Sequence, residues 1–531
     1  MTEESTSVLI VGGSLVGLSG AMFLAARGVR PVLVERHRES AAHPRAIGYT
    51  ARTLELFEAA GLVGIPEVPP TFQLRRVRVE SLAGRWLEET DWTPRLATQD
   101  THTQAPDDAF SPHTGAAIAQ DKLEPLLRAR ARALGADVRL GTDLVRFEED
   151  ADGVTAWLKD PDGAERVLRA AYMIAADGNR SAIRAALGIE RQGIGVIQVM
   201  RSVLFRAELE HFQRGVSQFE VEQPGLDAFL TTYGDGRWVL MFKDDVERDV
   251  EALRRAIAQA IGAPVPFEIL TTGRWELTAL VADRFAKGRV FLAGDAAHTL
   301  PPTRGGYGAN TGIADAYNLA WKLAAVLSGE STPKLLESYD EERRPIAWLR
   351  FRQTFARPDY ARWADDATRA TRIIDPVAIE LGELYRSSAV LGAGPELPDA
   401  RRPDEWRGQP GSRAPHLVVQ RGGREASTLD FFGRSWVLVS SDPRWSEAAR
   451  AMHAQVGIHV EPIDVDRGLS QEDRGALLHA FGIDGKGATL VRPDGYIAWR
   501  LTGEVPTAVA TLAGVMATVA CPVRRPAEDS D

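Results

Sequence analysis

The residues best equipped for chemistry stand in three glycine-bearing stretches. The first is Gly12-Gly13-Ser14-Leu15-Val16-Gly17, set between the apolar run Val8-Leu9-Ile10-Val11 and a helical pattern from Leu18 to Arg27; Glu35 closes the next apolar run, Val32-Leu33-Val34-Glu35. Backbone amides at such a helix start can hold a pyrophosphate, and a carboxylate ending the second strand can accept both hydroxyls of a ribose. Ser14 stands where the usual fingerprint has its second glycine. Serine is small enough to let a phosphate approach, and its hydroxyl can donate; a plain strand-turn-helix is the competing reading. The second stretch, Ala175-Ala176-Asp177-Gly178-Asn179-Arg180-Ser181, ends another apolar run, and an Asp-Gly pair by itself is a turn. The third, Phe291-Leu292-Ala293-Gly294-Asp295-Ala296-Ala297-His298, leads into a Pro- and Gly-rich loop, Pro301 to Gly312, that opens a helix.

The elements that must position these residues are legible in the hydrophobic periodicity. Residues 8–35 read as a βαβ unit. Asp121 and Glu124 have capping-box spacing, and Leu123, Leu126, Leu127 and Leu134 predict a surface helix after them. From Asp137 to Ala176 short alternating segments with turns at Asp152-Gly153 and Asp162-Gly163 predict a small antiparallel sheet. Alternation returns from about Val196 to Phe242, with a turn at Gly234-Asp235-Gly236, and predicts a second sheet. Arg289 to Leu292 reads as a buried strand and Ile313 to Leu327 as a helix with Ala, Leu and Trp on one face. Four prolines between Gly394 and Arg413 mark a linker before a separate C-terminal domain.

A chain of 531 residues exceeds one hydrophobic core, which predicts roughly two to four domains. Its net charge of -10 offers no basic stripe for nucleic acid or an anionic membrane surface. The single cysteine, Cys521, excludes an internal disulfide and a Cys-rich metal cage, so no metal site is expected and a cytoplasmic setting is. The apolar stretch Val8 to Ala26 follows Glu3 and Glu4 and is broken by glycines, which reads as structure rather than as a signal peptide or membrane span.

Taken in order, the three stretches together with Asp315-Ala316-Tyr317-Asn318-Leu319-Ala320-Trp321-Lys322-Leu323 resemble the group A flavoprotein monooxygenases, among them phenol and para-hydroxybenzoate hydroxylases, over about residues 5 to 400. Glu35-Arg36-His37, His43-Pro44-Arg45-Ala46 and Arg52-Thr53-Leu54-Glu55-Leu56 look closest to the aromatic polyketide hydroxylases of the anthracycline and tetracenomycin type. The resemblance implies an α/β fold: a GR2-type, Rossmann-like FAD-binding domain over 1–180 and 281–395, an interleaved β-sheet substrate domain over 181–280, and a thioredoxin-like domain over 411–531 that lacks Cys-x-x-Cys. It also implies roles for individual residues. Gly12, Ser14, Leu15 and Gly17 would cradle the pyrophosphate, Glu35 would bind the adenosine ribose, Arg36 and Leu144 would flank the adenine, and Gln120 and Arg45 would reach the ribityl and pyrophosphate region. Asp295 would accept from ribitol, while Pro302, Gly308, Ala309 and Asn310 would frame the isoalloxazine. Asp177 and Arg180 would serve both FAD and NADPH. Arg304 intervenes where the family loop places a glycine directly after Pro-Pro-Thr.

The same resemblance implies that NADPH reduces FAD, that O2 adds at flavin C4a, and that the terminal oxygen of the hydroperoxide enters a phenol-activated ring carbon. The protein then has to exclude water, orient the ring and favour the phenolate. Trp92, Phe219, Phe229, Met241 and Trp275 offer flat apolar area for a polycyclic substrate, with core packing as the competing role. Arg372 and Tyr233 are the candidates for phenol activation by resemblance. Competing functions are an antibiotic-inactivating or Baeyer-Villiger monooxygenase, a flavoprotein that only binds a polyketide, and a colourless NAD-dependent dehydrogenase. Nothing in the sequence specifies an oligomeric state.

Overall fold

The computed structural model describes residues 4–43, 46–72, 74–90, 107–302, 307–421, 424–467 and 469–523. Its first layer is built on the strand Glu4–Val11, flanked in parallel by Val32–Glu35 and Glu165–Ala175; Asp137–Leu140 and Val290–Leu292 extend the sheet outward, again in parallel. Val8, Leu9 and Ile10 are wholly buried, as continuous apolar runs must be when helices cover both faces of a parallel sheet. The helix Leu15–Ala26 packs against Tyr307–Leu327 and Gln120–Ala133. The small antiparallel sheet expected from 137 to 176 is an extension of this layer: Val154–Lys159 pairs onto the first half of Glu165–Ala175, and Asp143–Glu149 pairs onto Val154–Lys159. The capping box expected at Asp121 and Glu124 does not form. Ala119 caps that helix without a side-chain bond, because Asp121 is taken by Arg237 (2.9 Å) and Glu124 by Ser14 (2.7 Å).

The second layer is an eight-stranded sheet in the order His298–Thr299, Glu268–Ala282, Arg191–Arg206, Arg237–Phe242, Leu226–Thr232, Gln218–Gln223, Arg76–Val79 and Trp86–Thr90. Its last two strands come from well before residue 181. An open sheet edge accepts any strand that can seal it, whatever the distance in sequence; here the Trp86 ring meets Phe219 edge-on at 5.7 Å. The amphipathic helix Val250–Ile261 covers one face through Leu253, Ile257 and Ile261.

The C-terminal unit is a four-stranded mixed sheet, Val460–Asp464, Trp436–Ser440, Ala488–Val491 and Ile497–Leu501, with Pro443–Val456 and Ala508–Val519 packed together beside it, a thioredoxin-like arrangement. Buried charges join it to the first layer. Arg413 meets Glu55 at 2.5 Å, and Arg492 meets Glu342 at 2.5 Å, where Lys322 also arrives at 2.9 Å. Among the described residues no helix is long and apolar enough to cross a membrane, and no cluster of metal-ligating side chains is present.

Candidate active site

The three glycine-bearing stretches converge at the carboxyl ends of the parallel strands, where open α/β sheets bind ligands. Gly12 adopts φ +110°, and a Cβ there would stand 2.2 Å from the Ala176 carbonyl oxygen; a Cβ on Gly17 would stand 1.8 Å from that of Gly12. These contacts explain why glycine is required and bring the first stretch against the second. The third joins them through Ala293 N, which donates to Ala175 O at 3.0 Å, and through Gly294 and Gly312, both pressed against Val16. Arg184, just past the Asp-Gly turn, donates to Ala296 O at 2.8 Å.

At the start of the helix Leu15–Ala26, Ser14 does not cap the first turn. Its hydroxyl donates to Glu124 and accepts from Gln120 at 2.9 Å. The first turn carries no acidic residue either, so its amide donors and the positive end of the helix dipole are left for an anion. The Glu35 carboxylate accepts from Gly13 N at 2.7 Å and His37 N at 2.8 Å, which orients it at the rim of a cleft of about 410 Å³ lined by Gly13, Ser14, Glu35, Gln120, Glu124 and Arg128. Thr142 N donates to Glu35 O, Leu144 on the following strand packs against the first core, and Arg36 is exposed. Amide donors, a carboxylate on the neighbouring strand and glycine close approach fit an FAD.

The third stretch is held from beneath by a fully buried carboxylate. Asp315 accepts from Gly294 N (3.1 Å) and Arg343 Nε (2.8 Å) and meets His298 Nε2 at 2.7 Å; His298 and Arg343 hold its carboxyl below the usual range against the opposing effect of burial. His298 Nε2 is therefore committed to holding the loop. Asp295 itself is exposed at the surface of the convergence, and Asp177 accepts from Ile183 N while Arg180 meets Glu276 at 3.1 Å. Asn310 accepts from Thr50 N and Thr53 Oγ1 and so pins the start of the helix Tyr307–Leu327, beside Gly308 and Ala309; Pro302 is exposed, and its carbonyl accepts from Tyr360 Oη at 2.8 Å. Arg45 and Trp92 lie outside the described residues.

In the second sheet, register separates the aromatic candidates. Residues directly opposite across antiparallel strands share a face. Phe219, Leu230, Leu240 and Val203 form one such row, all fully buried in the second core. Phe219 therefore packs the sheet onto its helix and does not line a substrate site, a correction to its sequence-based role whose cause is the period-two alternation of the strand. Glu220, Phe229, Met241, Ser202 and Gly273 form the row on the other face, and Trp275 pairs with Met200 on that same face. Elements of the first layer reach this row at both ends: His43 Nε2 lies 2.9 Å from Ser202 Oγ, and Asp359 lies 3.9 Å from Arg76, whose guanidinium covers the Phe229 ring at 4.9 Å.

Tyr233 stands at the junction of the two layers, 5.4 Å from the Arg237 guanidinium that grips Asp121, and burial pushes its phenol up to about 12. Arg372 has an exposed side chain and contributes its carbonyl to Gln353. Arg343 and Arg357 lie far from every motif in sequence and meet the loop only in space, while Tyr307 lies within Pro301 to Gly312 but carries no signal of its own in the sequence.

Comparison with known proteins agrees with this architecture. Residues 5–354 match the family model described as an FAD binding domain, and residues 407–521 match that of the aromatic-ring hydroxylase C-terminal domain. The chain is 37% identical to a 4-methyl-5-nitrocatechol 5-monooxygenase of a Burkholderia species, covering 97% of each chain. It is also 37% identical to an aklavinone 12-hydroxylase of Streptomyces purpurascens, covering 98% of this chain and 99% of the relative. A solved aklavinone-11 hydroxylase, in ternary complex with FAD and aklavinone, superposes with a TM-score of 0.86 at 36% identity, covering 98% of this chain and all of that one. With the converging glycines, the oriented Glu35 and the two-layer architecture, these matches make the chain an FAD-dependent aromatic hydroxylase, a member of the FAD-binding monooxygenase family.

Proposed function

We propose that the protein hydroxylates a phenolic, polycyclic aromatic compound, with NADPH supplying two electrons and O2 supplying the oxygen. The reaction balances as one oxygen atom entering the ring and the other leaving as water. FAD, when bound, supplies the oxygen activation. In this reading the amides of Ser14 and Leu15, with Gly12 and Gly17 giving close approach, hold its pyrophosphate. Glu35 takes the adenosine ribose, Arg36 and Leu144 flank the adenine, and Gln120 and Arg45 contact the ribityl and pyrophosphate. Asp295 accepts from ribitol, Pro302, Gly308, Ala309 and Asn310 frame the flavin ring, and Asp177 and Arg180 serve NADPH as well. The domain limits of the sequence reading are proposed with the second sheet extended by Arg76–Val79 and Trp86–Thr90.

One observation carries the polycyclic substrate: Phe229, Met241 and Trp275 share the sheet face that is bracketed by the first layer, where a flat ring system can stack. Purified protein should be yellow, and in the presence of NADPH and labelled oxygen gas a hydroxyanthraquinone should gain one labelled oxygen atom. A colourless protein after supply of FAD, or NADPH oxidation that never labels the ring, would overturn the reading. Label inserted between ring carbons would instead establish a Baeyer-Villiger enzyme.

A further inference from the structure

Three arginines, Arg343, Arg350 and Arg357, are spaced by seven residues along and just beyond the helix Glu337–Phe355. The first two are satisfied. Arg343 donates to Asp315, the Tyr385 hydroxyl and the Thr311 carbonyl; Arg350 meets Glu383 at 2.5 Å and donates to Thr311 Oγ1. Arg357 is different. It is only 8% exposed, its Nε has no partner, and the one hydrogen bond of its side chain among the described residues is a long one of 3.4 Å from Nη2 to the Tyr307 hydroxyl. No carboxylate among the described residues lies within ion-pair distance of it.

A buried guanidinium without a counter-charge is costly to the fold, and such groups persist where a ligand completes them. The surroundings of Arg357 say where that ligand lies. Tyr307 opens the helix that follows the flavin loop, Tyr360 donates to Pro302 on the other side of that loop, and Asp359 approaches Arg76 over the Phe229 ring. Residues 357–360 thus stand between the flavin loop and the open face of the second sheet, in the space a ring to be hydroxylated has to share.

We propose that Arg357, rather than the exposed Arg372, receives the ionised phenolic oxygen of the substrate. The phenol's proton passes to solvent, and the guanidinium stabilises the anionic oxygen whose electron density activates the neighbouring ring carbon. The assignment rests on the aromatic-hydroxylase reading and names the group that selects for a phenol within it.

The test uses FAD-loaded protein and two probes, 1,4-dihydroxyanthraquinone and the single-ring 4-nitrocatechol, whose own visible spectra report ionisation. Arg357→Met should weaken binding of whichever phenol the wild type takes by about tenfold or more, the size of a charge-assisted hydrogen bond. It should also raise the pH at which the bound phenol ionises. Arg357→Lys should restore part of both, and Arg372→Gln should change neither. Without a phenol, Arg357→Met should melt no lower than the wild type and keep its FAD, because it removes an uncompensated charge. Wild-type affinity in Arg357→Met, a lower melting point without phenol, loss of FAD instead of phenol, or no phenol binding by the wild type would each overturn the proposal. Nitrocatechol bound through Arg357 with no binding of the anthraquinone would sink the polycyclic reading and leave the Arg357 assignment standing.

Discussion

Buried charges around the helix Glu337–Phe355 are treated in two opposite ways. Near the C-terminal unit Lys322, Glu342, Arg492 and Asp494 are each met by a group of opposite sign, and beneath the flavin loop Arg343 is met by Asp315. Past the end of that helix Arg357 has only a distant phenol, and in the cavity lined by Asn310, Arg350, Asp494 and Tyr496 the Glu380 carboxyl accepts no hydrogen bond among the described residues. The first arrangement holds the molecule together; the second leaves polar capacity for something else. Burial alone does not mark a functional group, and what distinguishes one is burial without compensation.

The largest expected effect comes from breaking a compensated site. Asp315→Ala leaves the buried Arg343 with only Glu383 at 3.7 Å and frees Gly294 and His298, and should cost about 3 kcal/mol, read as a fall in melting temperature with loss of flavin retention. An unchanged melt would break the contrast between compensated and uncompensated sites.

The sheet repeats that contrast between filled and open faces. Phe219→Ala should cost about 3 kcal/mol or more, since its ring is fully buried against Trp86, while Phe229→Ala should cost about 1 kcal/mol or less and raise KM for the aromatic substrate. Equal costs in denaturant unfolding would mean that both faces are core.

The smallest effect is a pH slope of opposite sign at a compensated and an uncompensated carboxylate. Arg492 and Lys322 hold Glu342 well below the ordinary carboxylate range against the opposing effect of burial, so its contribution is present near neutral pH and is lost as pH falls into acid. Burial pushes Glu380 up to about 7 despite Arg350, with Glu383 and Glu55 adding to the rise. The folded state therefore holds that proton more tightly than the unfolded chain, and stability falls as pH rises from the ordinary carboxylate range toward about 7. Glu380→Gln should accordingly stabilise the protein by about 2 kcal/mol at pH 8 and hardly at all at pH 4, measured by thermal melts across that range. A stabilisation independent of pH would show that burial does not raise the Glu380 carboxyl.

Local patterns in the chain carried the first layer and its cofactor. The strand-turn-helix at residues 8–27, Glu35 at the end of the next strand and the order of three glycine-bearing stretches depend on nearest neighbours and periodicity, which a linear sequence displays directly. The tertiary structure alone decided which face of each second-sheet strand is open, because a shift of one residue in register exchanges the faces; this is why Phe219 and Phe229 read alike in sequence and differ in space. It also decided that strands from residues 76 to 90 seal that sheet, and that Asp121 and Glu124 serve Arg237 and Ser14 instead of their own helix. Arg343, Arg350 and Arg357 carry the same side chain at the same spacing. Their difference lies in the counter-charges that distant segments bring, and no local pattern encodes those.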